Sequence, residues 1–451
     1  MTALLQGWIV AKHRELVPAG SLRARFTLGI VWSLAGAIVS RGFLLAASVV
    51  CARFLGKEGF GALGMIQSTV GMFGIFAGLG LGLTATKYVA EFRRQDPAKA
   101  GRILALSAFA AFISGGVITM LLILLAPYLA KNVLATPQLA APLAIGSGLV
   151  FFGAMNGAQT GALAGFEAFR TIARVNVISG VASFPLIVLG VWRGGLQGAV
   201  WGSVAALAIN WALNNRALRR ECANANVSYQ FASCHRELRI LHRFSLPAFL
   251  ASIVVGPTIW ACNALLVHQP DGYAELGIYS AADKWRLLIL FVPTSLAGTT
   301  LPMLSNLYGA GDSDAYTKVL NLNLLLNLAL TAFLAIIVSA CALPVLSIYG
   351  TSYRSAWPIL LILAFSAIPE ALNNILGYAM ISSGSIWWRL WFDVLLATVL
   401  MGFGWWAIPR WGAEGLAVAY GLAFSATALG LLLFMRSRSP QAHHPIPETS
   451  G

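Results

Sequence analysis

The chain has 451 residues, of which 58% are apolar and only 10% are charged. Soluble domains carry about 25% charged residues, so this composition excludes an ordinary soluble protein. Apolar runs recur from Phe26 to the C-terminus, and each is about 20 residues long, the length that spans the hydrocarbon layer of a bilayer. The sequence therefore predicts an all-α polytopic membrane protein.

Residues 1–25 are predicted to form a cytoplasmic lead-in that lies on the membrane surface. A short apolar patch is followed there by Lys12 and Arg14 without a small-residue cleavage site, which is typical of an interfacial segment and not of a secretory signal. Twelve spans follow at residues 27–52, 62–86, 103–127, 140–164, 173–192, 195–213, 245–267, 276–301, 319–342, 357–381, 388–408 and 413–434. The fifth and sixth spans are joined only by Arg193 and Gly194.

The spans divide into two lobes of six helices. We predict an N-lobe at residues 26–213 and a C-lobe at residues 244–434, separated by a basic cytoplasmic linker at residues 214–243. Residues 435–451 are predicted to be a polar cytoplasmic tail.

The net charge of +14 has its explanation in membrane topology. With the N-terminus inside, the inner segments hold 21 of the 30 Lys and Arg residues and the outer segments hold six. This bias is the one that the positive-inside rule requires. We therefore expect both termini in the cytoplasm and no nucleic-acid partner.

An internal repeat supports the division into two lobes. The segment EGFGALG at residues 58–64 aligns without a gap with DGYAELG at residues 271–277. GLQG at residues 195–198 resembles GAEG at residues 412–415, at nearly the same offset along the chain. Six spans per copy means that both copies enter the membrane in the same direction. We expect a pseudo-two-fold axis along the membrane normal, with the binding site where the lobes meet.

No catalytic motif is present in the sequence. It contains no nucleophile elbow, no HExxH zinc motif and no phosphate-binding P-loop. The five cysteines show no paired metal-ligand spacing. We predict that the protein is not an enzyme, with no metal site and no cofactor.

Charged residues inside the spans are the strongest functional signal. Arg41 interrupts the first span, and the eighth contains Asp283, Lys284 and Arg286. Helical geometry places Asp283 and Arg286 on one face, where they can pair and leave Lys284 as the uncompensated cation. Ionisable groups at this depth are costly and usually functional.

Two interpretations of these charges stay open at this point. In the first, Arg41, Lys284 and Arg286 line a water-filled central cavity that attracts a phosphate-bearing anion. In the second, Asp283 pairs with Arg286 and Arg41 pairs with Glu370, and the charges only hold helices together.

Other polar side chains extend the proposed cavity. Gln159 lies on a polar face of the fourth span, and Asn374 shares a face of the tenth span with Glu370. Asp393 lies in the eleventh span. We take Gln159, Asn374 and Asp283 as further cavity residues, and Glu370 and Asp393 as candidates for coupling to an ion.

Three segments carry a resemblance to a known family. They are ARFLGKEGFGALG at residues 52–64, GLGLGLTATKYVA at residues 78–90 and GLQG at residues 195–198. On these motifs the chain resembles the multidrug/oligosaccharidyl-lipid/polysaccharide exporter superfamily, in its polysaccharide transporter branch of Wzx-type flippases. The similarity in architecture covers residues 22–437.

The resemblance implies a two-lobed, twelve-helix transporter of the cytoplasmic membrane. Its substrate would be a polyprenyl-diphosphate-linked oligosaccharide, moved by alternating access for surface polysaccharide biosynthesis, and ion coupling is compatible with this scheme. Membrane lipid and polysaccharide assembly proteins are further candidate partners. The alternatives are an ion-coupled multidrug exporter of the same superfamily and a membrane-embedded polysaccharide polymerase or ligase.

Overall fold

The computed structural model describes residues 22–237, 253–309, 311–383 and 385–437. Four of the predicted segments fall partly outside these ranges. The parts outside are residues 1–21 of the lead-in, 238–243 of the linker, 244–252, 310 and 384 of the C-lobe, and 438–451 of the tail.

Helices make up almost all of the described structure, and no strand occurs in it. In chain order they are α1 (Leu22–Gly78), α2 (Leu81–Phe92), α3 (Pro97–Tyr128), α4 (Ala140–Gly165), α5 (Phe169–Asn224), α6 (Val255–Val267), α7 (Gly272–Gly309), α8 (Ser313–Ala340), α9 (Ala342–Ser347), α10 (Trp357–Ser382) and α11 (Ile386–Ser437). Seven of the described helical segments are long and apolar enough to cross a membrane.

Three of these helices turn back at a glycine and therefore cross the membrane twice. The backbone is left-handed at Gly56 in α1, at Gly195 in α5 and at Gly412 in α11, with φ values of 68°, 52° and 52°. Glycine adopts this conformation without the steric cost that a Cβ atom brings. We call the two parts of α1, α5 and α11 on either side of these glycines their arms. Each arm is counted as one span, α2 is counted with the second arm of α1, and the short helix α9 is left out. This gives twelve spans within the described residues. The prediction of twelve helices is confirmed.

The turns at Gly195 and Gly412 have the same geometry. Their ψ angles are −132° and −128°, and the two glycines are the first residues of the repeated GLQG and GAEG segments. The repeat found in the sequence is therefore also a repeat of backbone conformation, placed before the last helix of each lobe.

The lobes meet where α1 crosses α7. A Cβ atom on Gly61 would lie 2.8 Å from the backbone nitrogen of Gly277 and would overlap the carbonyl oxygen of Tyr273. A Cβ atom on Gly277 would lie 3.2 Å from the nitrogen of Gly61 and would overlap the carbonyl oxygen of Lys57. These contacts are reciprocal, as a two-fold axis between two copies requires.

The reciprocal contacts also correct the register of the repeat. They make Gly61 the counterpart of Gly277 and Lys57 the counterpart of Tyr273, whereas the ungapped sequence alignment placed Gly64 opposite Gly277. The alignment matched Gly64 to Gly277 because both follow a leucine, but helix packing selects the glycine pair that allows the two backbones to touch.

Tryptophans at both ends of the eleventh span indicate where the bilayer lies. Trp388 and Trp405 are 45% and 69% exposed. The helix between them is about 26 Å long, from the rise per residue of an α-helix. Since tryptophan is enriched at the two membrane interfaces, this spacing fits one crossing of the hydrocarbon layer.

The two lobes are packed together at the end of the molecule where α1 turns at Gly56. Tyr349 and Tyr353 follow α9 in the C-lobe, are 1% exposed, and contact the ring of Phe60 in the N-lobe at centroid distances of 6.2 and 6.3 Å. The side chain of Arg53 donates a hydrogen bond of 2.6 Å to the carbonyl oxygen of Ile348. The segment between α8 and α10 therefore closes the space between the lobes at this end.

The end of the N-lobe opposite the turns at Gly56 and Gly195 has a separate small core of buried apolar residues. Helix α5 continues to Asn224, well into the segment predicted as linker, and a 3₁₀ turn at Phe231–Glu237 follows. The turn is tied back to α3, because Arg102 pairs with Glu237 at 3.0 Å. The start of the linker is thus ordered against the N-lobe.

We predict that Gly61→Ala and Gly277→Ala each destabilise the protein. An added methyl group at either site pushes the helices apart, and overpacking of this kind costs about 1–3 kcal/mol. The measurement is the thermal transition of the purified protein. Gly74→Ala is the matched control, because a Cβ atom there meets nothing within 4 Å. Equal stability of all three variants would contradict the proposed crossing point.

Candidate functional site

A cavity of about 410 Å³ lies between the N-lobe helices and α7. Arg41 and Lys284 both line it. The remaining lining residues are Ser40, Leu44, Leu45, Ala47, Ser48, Cys51, Phe60, Leu63, Gln67, Leu149, Ser179, Gly180, Ser183, Ile187, Ser203, Ala206, Leu207, Asn210, Leu287 and Leu288. The structure therefore brings together one cation from each lobe in one cavity.

Both cations lie well inside their helices. Helix α7 begins with Gly272, and the first arm of α1 ends just before Gly56. From the rise per residue of an α-helix, Lys284 lies about 18 Å and Arg41 about 21 Å from these two helix ends. A charge at that depth is tolerated where it faces a cavity or a partner.

Within the described residues, neither cation has a carboxylate partner. The Lys284 ammonium donates a hydrogen bond of 3.1 Å to the side-chain oxygen of Gln67. The Arg41 guanidinium lies 4.3 Å from the centre of the Phe291 ring. Neither contact pairs the cation with a carboxylate, so both positively charged groups line the cavity.

A second cavity of about 360 Å³ continues from the first. The two share Gln67, Leu149 and Leu207. Glycines of α1, α2 and α4 form much of the second wall, namely Gly71, Gly74, Gly78, Gly82, Gly153 and Gly157. Because these residues have no side chains, the helices leave open space between them. We call the two cavities together the chamber.

Arg286 does not line either cavity. It is 6% exposed and lies in a cluster of charged and hydroxyl groups inside the C-lobe. Its Nε atom donates to Asp283 at 2.7 Å, its NH1 atom donates to the Tyr420 hydroxyl at 2.8 Å, and it also pairs with Glu370. We call Asp283, Arg286, Glu370 and Tyr420 the arginine cluster.

The arginine cluster decides between the two interpretations for these residues. The expected pair of Asp283 with Arg286 is present, while Glu370 pairs with Arg286 and not with Arg41. Two carboxylates therefore surround one guanidinium, and Arg286 is neutralised locally. Lys284, two residues earlier, points its charge into the chamber instead.

The remaining candidate residues lie outside both cavities. Gln159, with its amide oriented to satisfy both atoms, exchanges two hydrogen bonds of 3.2 Å with Trp211. Asp393 pairs with Arg389 at 2.9 Å within α11. Asn374 is half-buried in α10 and lines neither cavity. None of these three candidates reaches the chamber.

Sequence reasoning missed the neutral polar residues of the chamber. Gln67, Ser183, Ser203 and Asn210 come from three different spans. A single serine in an apolar span is ordinary, and its usual hydrogen bond is to its own helix. Only the three-dimensional arrangement brings these residues to the same cavity.

Comparisons with known proteins agree with this architecture. The family described as polysaccharide biosynthesis protein matches residues 26–308. The chain is 24% identical over 427 residues to the EPS I polysaccharide export inner membrane protein EpsE of Ralstonia nicotianae, covering 92% of this chain and 93% of that one. It is 23% identical over 423 residues to the lipid III flippase of Escherichia coli, covering 91% and 98%.

A solved structure shares the fold. A multidrug resistance MATE family transporter of the MOP superfamily, in an inward-facing conformation, superposes with a TM-score of 0.75. The sequences are 14% identical, and the alignment covers 91% of this chain and 98% of the transporter. The predicted all-α, two-lobed exporter fold is confirmed.

We predict that Arg286→Gln reduces the stability of the folded protein more than Lys284→Gln does. The first change leaves two half-buried carboxylates without their cation, and removing one partner of a buried ion pair costs about 3–5 kcal/mol. The second removes only a hydrogen bond to Gln67. The measurement is the thermal transition and the monodisperse fraction after purification. Equal stability of the two variants would mean that the arginine cluster does not hold the C-lobe together.

Proposed function

The chain belongs to the polysaccharide biosynthesis protein family, and from this premise we propose that it is a flippase for a lipid-linked oligosaccharide. The substrate is a polyprenyl diphosphate that carries sugars, and the product of transport is the same molecule in the outer leaflet. The protein acts in the biosynthesis of a surface polysaccharide such as O-antigen, capsule or exopolysaccharide.

One observation carries this proposal, namely the two uncompensated cations in one chamber. Arg41 and Lys284 line the same cavity, and neither has a carboxylate partner among the described residues. A guanidinium grips phosphate oxygens in a bidentate manner and an ammonium contacts them as a point charge. Together they match a diphosphate, which carries the negative charge that the chamber lacks.

The chamber also lowers the free-energy cost of moving the charged and hydrated headgroup through the bilayer. A charged group at the centre of a bilayer is strongly disfavoured, and a sugar would lose its hydrogen bonds to water. Cations and polar side chains at mid-membrane depth replace part of that hydration. The polyprenyl chain needs no such replacement because it is as apolar as the lipid.

Alternating access follows from the packing of the outer face. Phe60 lines the chamber and contacts Tyr349 and Tyr353 above it. A substrate in the chamber therefore reaches the outer leaflet only after these rings separate. We propose that the lobes pivot about the glycine crossing to open that path.

We further propose that the protein lies in the cytoplasmic membrane with both termini inside. The distribution of Lys and Arg residues supports this orientation, and the EpsE relative is described as an inner membrane protein. Polysaccharide assembly proteins and membrane lipid are its proposed neighbours there.

The multidrug exporter alternative has less support from the site. A cavity for cationic drugs needs free carboxylates, but Asp283 and Glu370 are already bound to Arg286. The charge that faces the chamber is positive. The polymerase or ligase alternative has no support among the relatives described above, which are named for export and flipping.

Deletion of the gene should make the lipid-linked oligosaccharide accumulate in the cytoplasmic leaflet and should abolish the surface polysaccharide. Complementation with Arg41→Gln or Lys284→Gln should fail, since each variant loses one of the two phosphate contacts. The measurements are chemical analysis of lipid-linked intermediates and quantification of surface polysaccharide. Asn374→Ala serves as a control outside the chamber and should complement. Full complementation by both cation variants would overturn the proposed site.

Native cysteines test the orientation. Cys341 is exposed at the end of α8, on the side proposed to face outward. A membrane-impermeant maleimide should label it in cells whose cytoplasmic membrane is intact, and Cys341→Ser should abolish that signal. Cys234 is half-buried in the proposed cytoplasmic linker, so its labelling should require permeabilisation. The reverse order of labelling would mean that the chain is inverted.

A further inference from the structure

The chamber has a second chemical character besides its positive charge. Its N-lobe walls carry serine and asparagine side chains from α1 and from both arms of α5. They include Ser48, Ser183, Ser203 and Asn210. What these groups can bind depends on which of their hydrogen-bonding positions are already occupied.

The three serines use their hydroxyl protons within their own helices. Ser48 donates to the carbonyl of Leu45 at 2.8 Å, Ser183 to Gly180 at 2.7 Å, and Ser203 to Ala199 at 2.9 Å. A hydroxyl has one proton and two lone pairs. Each serine oxygen can therefore still accept a hydrogen bond, but it has no proton left to donate.

The amide groups of the chamber have the opposite pattern. The side-chain oxygen of Asn210 accepts a hydrogen bond of 2.6 Å from Asn214, and the side-chain oxygen of Gln67 accepts from Lys284. Their NH₂ groups remain as donors, because an amide nitrogen carries two protons. The N-lobe walls thus offer acceptors at the serines and donors at the amides.

This combination fits hydroxyl groups better than a phosphate. An ionised phosphate only accepts hydrogen bonds, so it could use the amide NH₂ groups but not the oxygens of Ser48, Ser183 and Ser203, whose protons are already donated. A sugar hydroxyl both donates and accepts, and it can bridge a serine oxygen and an amide NH₂. Ser179 adds a hydroxyl that lines the same cavity, is 6% exposed, and has no partner among the described residues.

We infer that the walls bearing Ser183, Ser203 and Asn210 bind the hydroxyls of the sugar attached directly to the diphosphate. The inference rests on the proposed function, because Arg41 and Lys284 hold the diphosphate in the same cavity. The sugar next to that anion lies over the N-lobe. These residues then determine which glycolipid is accepted, while the two cations determine that a glycolipid diphosphate is bound at all.

The test compares the binding of two probes to the protein in lipid nanodiscs. One is undecaprenyl diphosphate, and the other is undecaprenyl diphosphate that carries a single hexose. The wild-type protein should bind the hexosylated probe more tightly, by roughly two- to tenfold for each hydrogen bond gained. Ser183→Ala with Ser203→Ala should abolish this preference and leave the affinity for undecaprenyl diphosphate unchanged. Arg41→Gln should weaken the binding of both probes.

Ser147→Ala is the matched control. Ser147 is also buried and donates to the carbonyl of Ala144 in the preceding turn at 2.6 Å, but it lines neither cavity. It should keep the wild-type preference. The thermal transition of each variant shows whether it is folded, and Ser183→Thr keeps the hydroxyl if Ser183→Ala does not fold.

The possible outcomes distinguish a failure of the sugar-binding inference from a failure of the proposed flippase function. The inference that these walls bind a sugar is overturned if the wild-type protein binds both probes equally. It is also overturned if the double serine variant keeps the wild-type preference. Neither result contradicts the flippase proposal. An equal loss of affinity for both probes in the double variant also overturns the inference, because it makes the serines part of the diphosphate site. Absence of binding of either probe to the wild-type protein overturns the proposed function itself.

Discussion

The contact between Gly61 and Gly277 is the constraint on which the two-lobed arrangement depends. At this point the backbones of α1 and α7 touch, and each glycine leaves no room for a Cβ atom. A close crossing of this kind is a natural pivot, because the two backbones stay in contact while the regions above and below it separate or close. The aromatic packing of Phe60 with Tyr349 and Tyr353 lies on the side proposed to face outward.

A second constraint is that each charge inside the membrane must be neutralised or must face a polar cavity. The structure uses both solutions within one helical turn of α7. Arg286 is surrounded by Asp283, Glu370 and Tyr420, so its charge serves the cohesion of the C-lobe. Lys284 faces the chamber. Two cations that look equivalent in the sequence therefore have different roles, and the carboxylate neighbours decide which role each one takes.

The sequence predicted those features that depend on local spacing. The twelve spans, the similarity of the GLQG and GAEG segments and the pairing of Asp283 with Arg286 all follow from residues close together in the chain. Tyr420, which contacts Arg286 from a distant helix, could not be identified, because nothing near it in the chain marks it as polar. The serine walls were missed for the same reason. The register of the repeat was wrong, since similarity of residue type is a weaker signal than the contact between two glycine backbones.

The symmetry of the backbone is not a symmetry of charge. The register that pairs Gly61 with Gly277 also pairs Ser68 with Lys284 and Val70 with Arg286. At these positions the duplicated helix is charged in one copy and neutral in the other, while the N-lobe cation of the chamber, Arg41, lies on a different helical arm. An anion that enters the chamber therefore meets two cations that the pseudo-two-fold axis does not relate to each other. The internal duplication thus provides a symmetrical hinge, while the loss of symmetry in its side chains gives the cargo a fixed orientation.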